Sequence, residues 1–261
     1  MSMVGIIGGT NADFDFEWAD DVRVETPYGA VDVAVGRVAG GPEVRFIRRH
    51  GRGHALLSSA VNHRANVWAL RELGCSAILG TTVCGVIDPE QPLGSALVFD
   101  DLHFPDNRLP DGAPCTFFSA PGQPGRGHYI FSRPFAGSMR SALLAAACDA
   151  GLPVRDGGTY AYALGPRFNT RSEIATMRAA GACAVSQTAG PEAVLAGELE
   201  LPYALVGFGV DYANGVREEP TPVDVLDANI AASKPAFEAI ARGAAGALAS
   251  AGFEGFVYRF E

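Results

Sequence analysis

The chain reads as an α/β protein, and three observations lead there. Short apolar runs of strand length, at residues 4–7, 44–47 and 77–80, recur along it and lead into glycine, basic or hydroxyl residues. Between them lie stretches with helical periodicity, such as Val61, Ala65, Trp68 and Ala69. Finally, a chain of 261 residues, 48% of them hydrophobic, buries about three quarters of its unfolded surface. No linker divides the sequence, and one α/β domain fits its length as well as two do.

Taken in order, residues 4–7 form a short buried strand that runs into Gly8-Gly9-Thr10-Asn11. Glycine there lets backbone approach a ligand, and Thr10 adds a hydroxyl. The G-x-G-x-x-G spacing of a dinucleotide site is absent, and a plain tight turn would read the same way. After a turn at 26–29, residues 31–38 alternate as a half-exposed strand does. Residues 44–47 form another strand, which ends in Arg48-Arg49-His50-Gly51-Arg52-Gly53-His54. The guanidinium fork suits bidentate contact with phosphate, with a solvated basic turn as the plainer explanation. The spacing of the histidines, with no carboxylate beside them, speaks against zinc. A helix carrying Val61 to Ala69 ends near Gly74. The strand 77–80 then runs into Thr81-Thr82-Val83-Cys84-Gly85, a third strand end with hydroxyls and glycine. Such ends converge on one ligand when their strands are neighbours in a sheet.

Residues 95–99 form a further strand. Residues 100–127, rich in Pro, Gly and Asp, read as a long surface excursion that is functional or lies between subunits, and His128 closes it. A helix over 138–150, a strand over 159–164 and a helix over 171–180 follow. The apolar run Cys183-Ala184-Val185 enters Ser186-Gln187-Thr188-Ala189-Gly190-Pro191-Glu192, with a helix over 193–199 behind it. Small and hydroxyl residues before a Pro/Glu helix start present N–H groups and a hydroxyl to an anion. Residues 205–209 are the last buried strand and lead to Val210-Asp211-Tyr212. Thr221-Pro222-Val223-Asp224 reads as a helix start with an N-cap, Pro at N1 and an acid at N3. Lys234-Pro235 should break or kink that helix, which resumes to about residue 250.

A net charge of −9 argues against a nucleic-acid binder, whose footprint is basic, and leaves room for a local basic pocket. The five cysteines are odd in number, form no C-x-x-C and sit mostly in apolar runs, as free thiols in a reducing cytosol do. No apolar run reaches about 18 residues, and the N-terminus lacks a basic n-region. The expectation is a cytoplasmic protein without a membrane span.

Five segments together carry a resemblance: Ile7-Gly8-Gly9-Thr10; Arg49-His50-Gly51-Arg52 with residues 61–70; Thr81 to Gly85; Gly165-Pro166-Arg167-Phe168; and Thr188 to Glu192. In their order and spacing the chain resembles the purine nucleoside phosphorylase superfamily, in the trimeric class that includes 5′-methylthioadenosine phosphorylase, over about residues 4–230. The resemblance implies a single domain over residues 1–261, a three-layer sandwich with a mixed, distorted central sheet flanked by helices. It implies reversible phosphorolysis of an N-glycosidic bond, with inorganic phosphate as co-substrate and no metal or other cofactor. It also implies a homotrimer, with a hexamer left open.

By position, the resemblance assigns phosphate binding to Thr10, Arg49, His50, Thr82, Val83 and Thr188. Hydroxyls, a guanidinium, an imidazole and backbone N–H groups are what a buried oxyanion needs. Phe168 would stack on the base. Gln187, where the family usually has Met, would approach the ribose. Asp211, Thr188 and His50 would be catalytic. Asp211 with Asn169 reads the base: Asp goes with 6-aminopurines, Asn in its place with 6-oxopurines, and the oxopurine enzymes carry Glu where this chain has Asn169. A second acid typical of methylthioadenosine phosphorylases is Ala213 here. The 5′ group would meet Val223, Leu226 and Asp227, with His128 lent by a neighbouring subunit. The expected reaction is phosphorolysis of 5′-methylthioadenosine or a related 5′-substituted adenosine, with 6-oxopurine nucleosides as the alternative. Hydrolysis of the same bond and nucleoside binding without turnover are the competing readings.

Overall fold

The computed structural model describes residues 3–10 and 13–260, so Asn11 of the first turn lies outside it. The strands are β1 (Met3–Gly8), β2 (Glu17–Thr26), β3 (Gly29–Arg37), β4 (Glu43–Arg48), β5 (Cys75–Val86), β6 (Ala96–Val98), β7 (Asp101–His103), β8 (Gly127–Phe131), β9 (Val154–Asp156), β10 (Thr159–Tyr162), β11 (Ala182–Ser186), β12 (Tyr203–Tyr212) and β13 (Gly255–Arg259). The helices are α1 (His63–Glu72), α2 (Gly137–Asp149), α3 (Arg171–Ala179), α4 (Ala189–Glu198) and α5 (Val223–Ala249). This is the expected mixed sheet flanked by helices. Its main path runs β2-β3-β4-β1-β5-β11-β10-β7, and β12, β6 and β9 branch from β5.

Two faces of this sheet are covered. Along β1, Ile6 packs with Met139 and Leu143 of α2 and Phe237 and Ile240 of α5. Its neighbour Ile7 packs with Val67 and Leu70 of α1 and Leu195 of α4. Successive side chains of a strand point to opposite faces, so a strand buried on both sides reads as the unbroken apolar run seen at residues 4–7.

The strand β5 determines where the site lies. Its first half pairs with β1 in parallel, up to Ile7 opposite Gly80. Its far end pairs with β11 antiparallel, Val185 opposite Gly85. Residues 81–84 between these two partners have neither strand beside them, while β12 runs along the other edge throughout. The C-terminal ends of β1 and β11 therefore face each other across a gap in the sheet. Thr81 to Cys84 do not end a strand as the sequence suggests. They lie in its middle, where its partner changes.

Several local expectations are revised. The strand β2 was not anticipated, because most of its residues are exposed and half are charged; its pairing with β3 makes it. The excursion over 100–127 contains β7 and buries Leu109, Cys115 and Phe117, with the Phe117 N–H donating to the Glu198 carboxylate at 2.7 Å. α4 begins at Ala189, four residues earlier than expected, because Pro191 in a first turn loses no hydrogen bond. Thr221 does not cap α5; its hydroxyl accepts from the Tyr212 N–H, and Pro222 holds the N-cap position. Pro235 sits inside α5 without interrupting it. His128, on β8, lies on an exposed face of a separate two-stranded ribbon with β13, beside Ile130, Phe256 and Tyr258.

Candidate active site

A cavity of about 320 Å³ opens at the gap beside residues 81–84. It is lined by Gly9 and Thr10 after β1, Arg49 and His50 after β4, Thr82 to Gly85 of β5, Ser186 to Thr188 after β11, and Val210 and Asp211 of β12. The ends of β1, β4 and β11 meet here beside the middle of β5, so the segments singled out in the sequence converge.

At the hydroxyl-rich end, Gly9 must approach closely: a Cβ there would lie 2.8 Å from both Arg49 Nη1 and the Thr81 carbonyl oxygen. Arg49 is fully buried. Its Nε and Nη2 donate to the two Glu192 carboxylate oxygens at 2.5 and 2.8 Å, Nη1 to the Thr81 carbonyl at 2.7 Å, and Nη2 also to the Ile7 carbonyl at 3.2 Å. Four of its five N–H groups are thus engaged among the described residues. Burial opposes both charges, and their mutual attraction more than offsets it, holding Arg49 above and Glu192 below their ordinary pKa values. Arg49, expected to meet phosphate, forms a neutralised pair with Glu192 and keeps one N–H group unengaged among the described residues. Arg48 and Arg52 pair with Asp13 and Asp21 outside the cavity.

His50 Nδ1 lies 2.9 Å from the Leu56 carbonyl oxygen. A carbonyl only accepts, so Nδ1 carries the proton and Nε2 keeps its lone pair. Burial, and next the Arg49 charge, hold the His50 pKa down at about 4. The ring is therefore neutral at neutral pH and stacks on His54 at 4.3 Å. Thr188 occupies the N-cap of α4 and lines the cavity, and its side chain makes no capping bond.

At the other end, a bulge re-aims β12: Gly209 pairs with Cys84 and Asp211 with Gly85, leaving Val210 extra. Asp211 is the one acidic side chain lining the cavity among the described residues. Burial raises its pKa to about 6. Gly85 is three residues beyond Thr82, so Asp211 stands about 10 Å along β5 from that hydroxyl. Phe168 lies on the rim with 70% of its surface exposed. Asn169 is held by Glu173, which accepts from its Nδ2 at 3.2 Å, and by Asn214, which donates to its carbonyl at 2.7 Å. Gln187 lines the cavity with its amide engaged: Oε1 accepts from Ser58, and Nε2 donates to the Arg167 carbonyl. On α5, Leu226 and Ile230 face the cavity. Val223 and Asp227 are exposed and outside its lining, as is His128.

A family model described as the phosphorylase superfamily matches residues 3–246. The chain belongs to this superfamily. It is 39% identical to a 6-oxopurine nucleoside phosphorylase of Pyrococcus furiosus, over 83% of this chain and 82% of that one. It is 38% identical to an S-methyl-5′-thioadenosine phosphorylase of Mycobacterium tuberculosis, over 82% and 77%. Among solved structures, a methylthioadenosine phosphorylase from Schistosoma mansoni in complex with adenine superposes with a TM-score of 0.84 at 30% identity, covering 94% of this chain and 91% of that one.

The superfamily motifs did not reveal every residue of the cavity. His54, Ser58, Ser186, Asn214 and Ile230 also line it. Ile230 follows Leu226 by one helical turn, the spacing that could have pointed to it. His54 has a left-handed backbone, φ 56°, which nothing in its sequence marks.

Proposed function

We propose that the cavity catalyses phosphorolysis of the N-glycosidic bond of a purine nucleoside, 5′-methylthioadenosine or a related 5′-substituted adenosine. The products are adenine and the sugar 1-phosphate. The observation that carries the reading is Asp211, the one acid lining the cavity among the described residues, whose burial raises its pKa to about 6 and so brings its neutral form within reach. A neutral carboxyl donates to purine N7 while accepting from the 6-amino group. Phosphate lies among Thr10, Arg49, His50, Thr82, the Val83 N–H and Thr188. The distance between the two ends supports a pentose lying between them. A phosphate oxygen attacks C1′ as the bond to the base breaks, and the electron pair leaves with the purine, where the Asp211 proton meets it at N7. Neutral His50 accepts a hydrogen bond from a phosphate hydroxyl through Nε2. Catalysis rests on positioning and electrostatics, with no covalent enzyme intermediate and no further cofactor.

Phe168 stacks on the base, and Gln187 reaches the ribose by giving up one of its present bonds. Leu226, together with Ile230 rather than Val223 or Asp227, receives the 5′ substituent. A neighbouring copy in a homotrimer supplies His128; the exposed apolar face around it supports such a contact, and sedimentation at the monomer mass would overturn it.

A second reading, 6-oxopurine nucleosides, is supported by the Pyrococcus furiosus relative. The test is base release from methylthioadenosine, adenosine, 5′-halogenated adenosines and inosine, each with and without phosphate. We expect release to require phosphate and to be fastest with the substituted adenosines. Faster turnover of inosine selects the second reading, and release without phosphate overturns both.

A further inference from the structure

A chain of hydroxyls runs across three neighbouring strands, from buried Tyr160 to the cavity wall at Ser186 and Thr82. Tyr160 of β10 is fully buried, and its hydroxyl accepts from the Ala189 N–H, the first residue of α4, at 3.2 Å. It lies 2.6 Å from Ser186 Oγ at the end of β11. Ser186 Oγ lies 2.8 Å from Thr82 Oγ1 on β5, and Thr82 donates to the Val83 carbonyl at 3.0 Å.

The direction of every bond in this chain follows from its first member. An N–H only donates, so the Tyr160 oxygen is an acceptor there. The phenol has one proton, and a buried hydroxyl left without an acceptor is costly. Ser186 Oγ is its available acceptor. Ser186 in turn donates to Thr82, whose own proton is on the Val83 carbonyl. Thr82, having accepted, has a proton that must point away from Ser186. It now rests on the Val83 carbonyl, at the lip of the cavity. Burial keeps the Tyr160 proton in place, since it raises the phenol pKa.

We propose that Tyr160 and Ser186 are positioning residues that force the Thr82 hydroxyl to act as a donor toward a bound phosphate oxygen. This rests on the phosphate reading above. Neither residue needs to touch the nucleoside for this role. The α4 N-terminus and Thr82 are thereby coupled: one helix N–H orients a hydroxyl three residues of contact away. Without the Tyr160 hydroxyl, Ser186 is free to accept from Thr82, and the donor turns away from the anion.

The test is steady-state phosphorolysis of methylthioadenosine by Tyr160→Phe, Ser186→Ala, the double variant and Ser186→Thr, varying phosphate and nucleoside in turn. A hydrogen bond to a charged group that is lost or misdirected weakens binding by about tenfold. We expect the phosphate KM to rise about tenfold in both single variants, the nucleoside KM to stay within about twofold, and Ser186→Thr to restore the wild-type value. We expect the double variant to be no worse than the weaker single, because one chain is broken in each case. The rise in melting temperature on adding phosphate should shrink in parallel. An unchanged phosphate KM in Tyr160→Phe, equal rises in both KM values, or additive effects in the double variant would overturn the proposal while leaving phosphorolysis standing. A wild-type enzyme that neither requires phosphate nor melts higher with it overturns the phosphate reading and this proposal together.

Discussion

Replacing Asp211 by Asn removes a carboxyl that the fold holds against its preference. Burial raises its pKa to about 6, from an ordinary value of 3.8. A folded-state pKa above the unfolded one means that the native chain binds the proton more tightly. The stabilisation this gives is complete below the unfolded value and is lost as pH rises through about 6. At neutral pH and above, the ionised carboxylate costs the fold about 3 kcal/mol relative to an uncharged side chain. Between about pH 5 and about pH 8 the advantage of Asp211→Asn should grow by about 1.5 kcal/mol. For a chain of this size that is a relative gain in Tm of about 3 °C. Thermal melts of both proteins across that range provide the assay. In turnover, the wild-type rate on 6-aminopurine nucleosides should fall as pH rises above about 6. The Asn variant, a permanent donor, should lose that limb and shift toward inosine. A Tm difference that does not change with pH, together with an unchanged purine preference, would refute the reasoning.

Gly9→Ala places a methyl group 2.8 Å from Arg49 Nη1 and from the Thr81 backbone oxygen. It should cost about 1–3 kcal/mol in denaturant unfolding and raise the phosphate KM by about an order of magnitude. Glu192→Gln strands the buried Arg49 charge and should cost about 3–5 kcal/mol in the same experiment. Because the Glu192 pKa is lowered, its contribution is present above the ordinary carboxylate range and is lost as pH falls, so the variant's deficit should narrow toward acid pH. Phe168→Ala removes a largely exposed ring; unfolding should change by less than about 0.5 kcal/mol. The nucleoside KM should rise by about tenfold if the ring stacks on a base; an unchanged KM would remove Phe168 from the site.

The strand ends at Thr10 and Thr188 were legible because glycine and hydroxyl residues directly follow apolar runs, a local signal. Their convergence was legible only as a condition, that the strands be neighbours, which the partner change along β5 fulfils. What remained hidden depends on distant pairing. The ion pair of Arg49 stayed hidden because the carboxylate that neutralises it lies 143 residues away. In β2 the alternation Val22-Arg23-Val24-Glu25 is short and set among charges, and its ladder with β3 makes the strand regular. Local rules were overridden where tertiary packing outweighs them: Pro235 stays within α5, and Thr221 bonds Tyr212 instead of capping. The helical side of the mouth was half legible, since the turn containing Leu226 was found but its inward face, with Ile230, was not.

The break in partners along β5 divides the sheet into two wings, β2-β3-β4-β1 and β11-β10-β7, joined through that single strand. A central strand ordinarily contains the slowest-exchanging amides of a protein. Here residues 81–84 lack a ladder on one edge, so the middle of the sheet holds backbone groups without a strand partner on that side. An anion gripped from both strand ends would lock the wings together, and deuterium uptake at these amides would then report occupancy of the site.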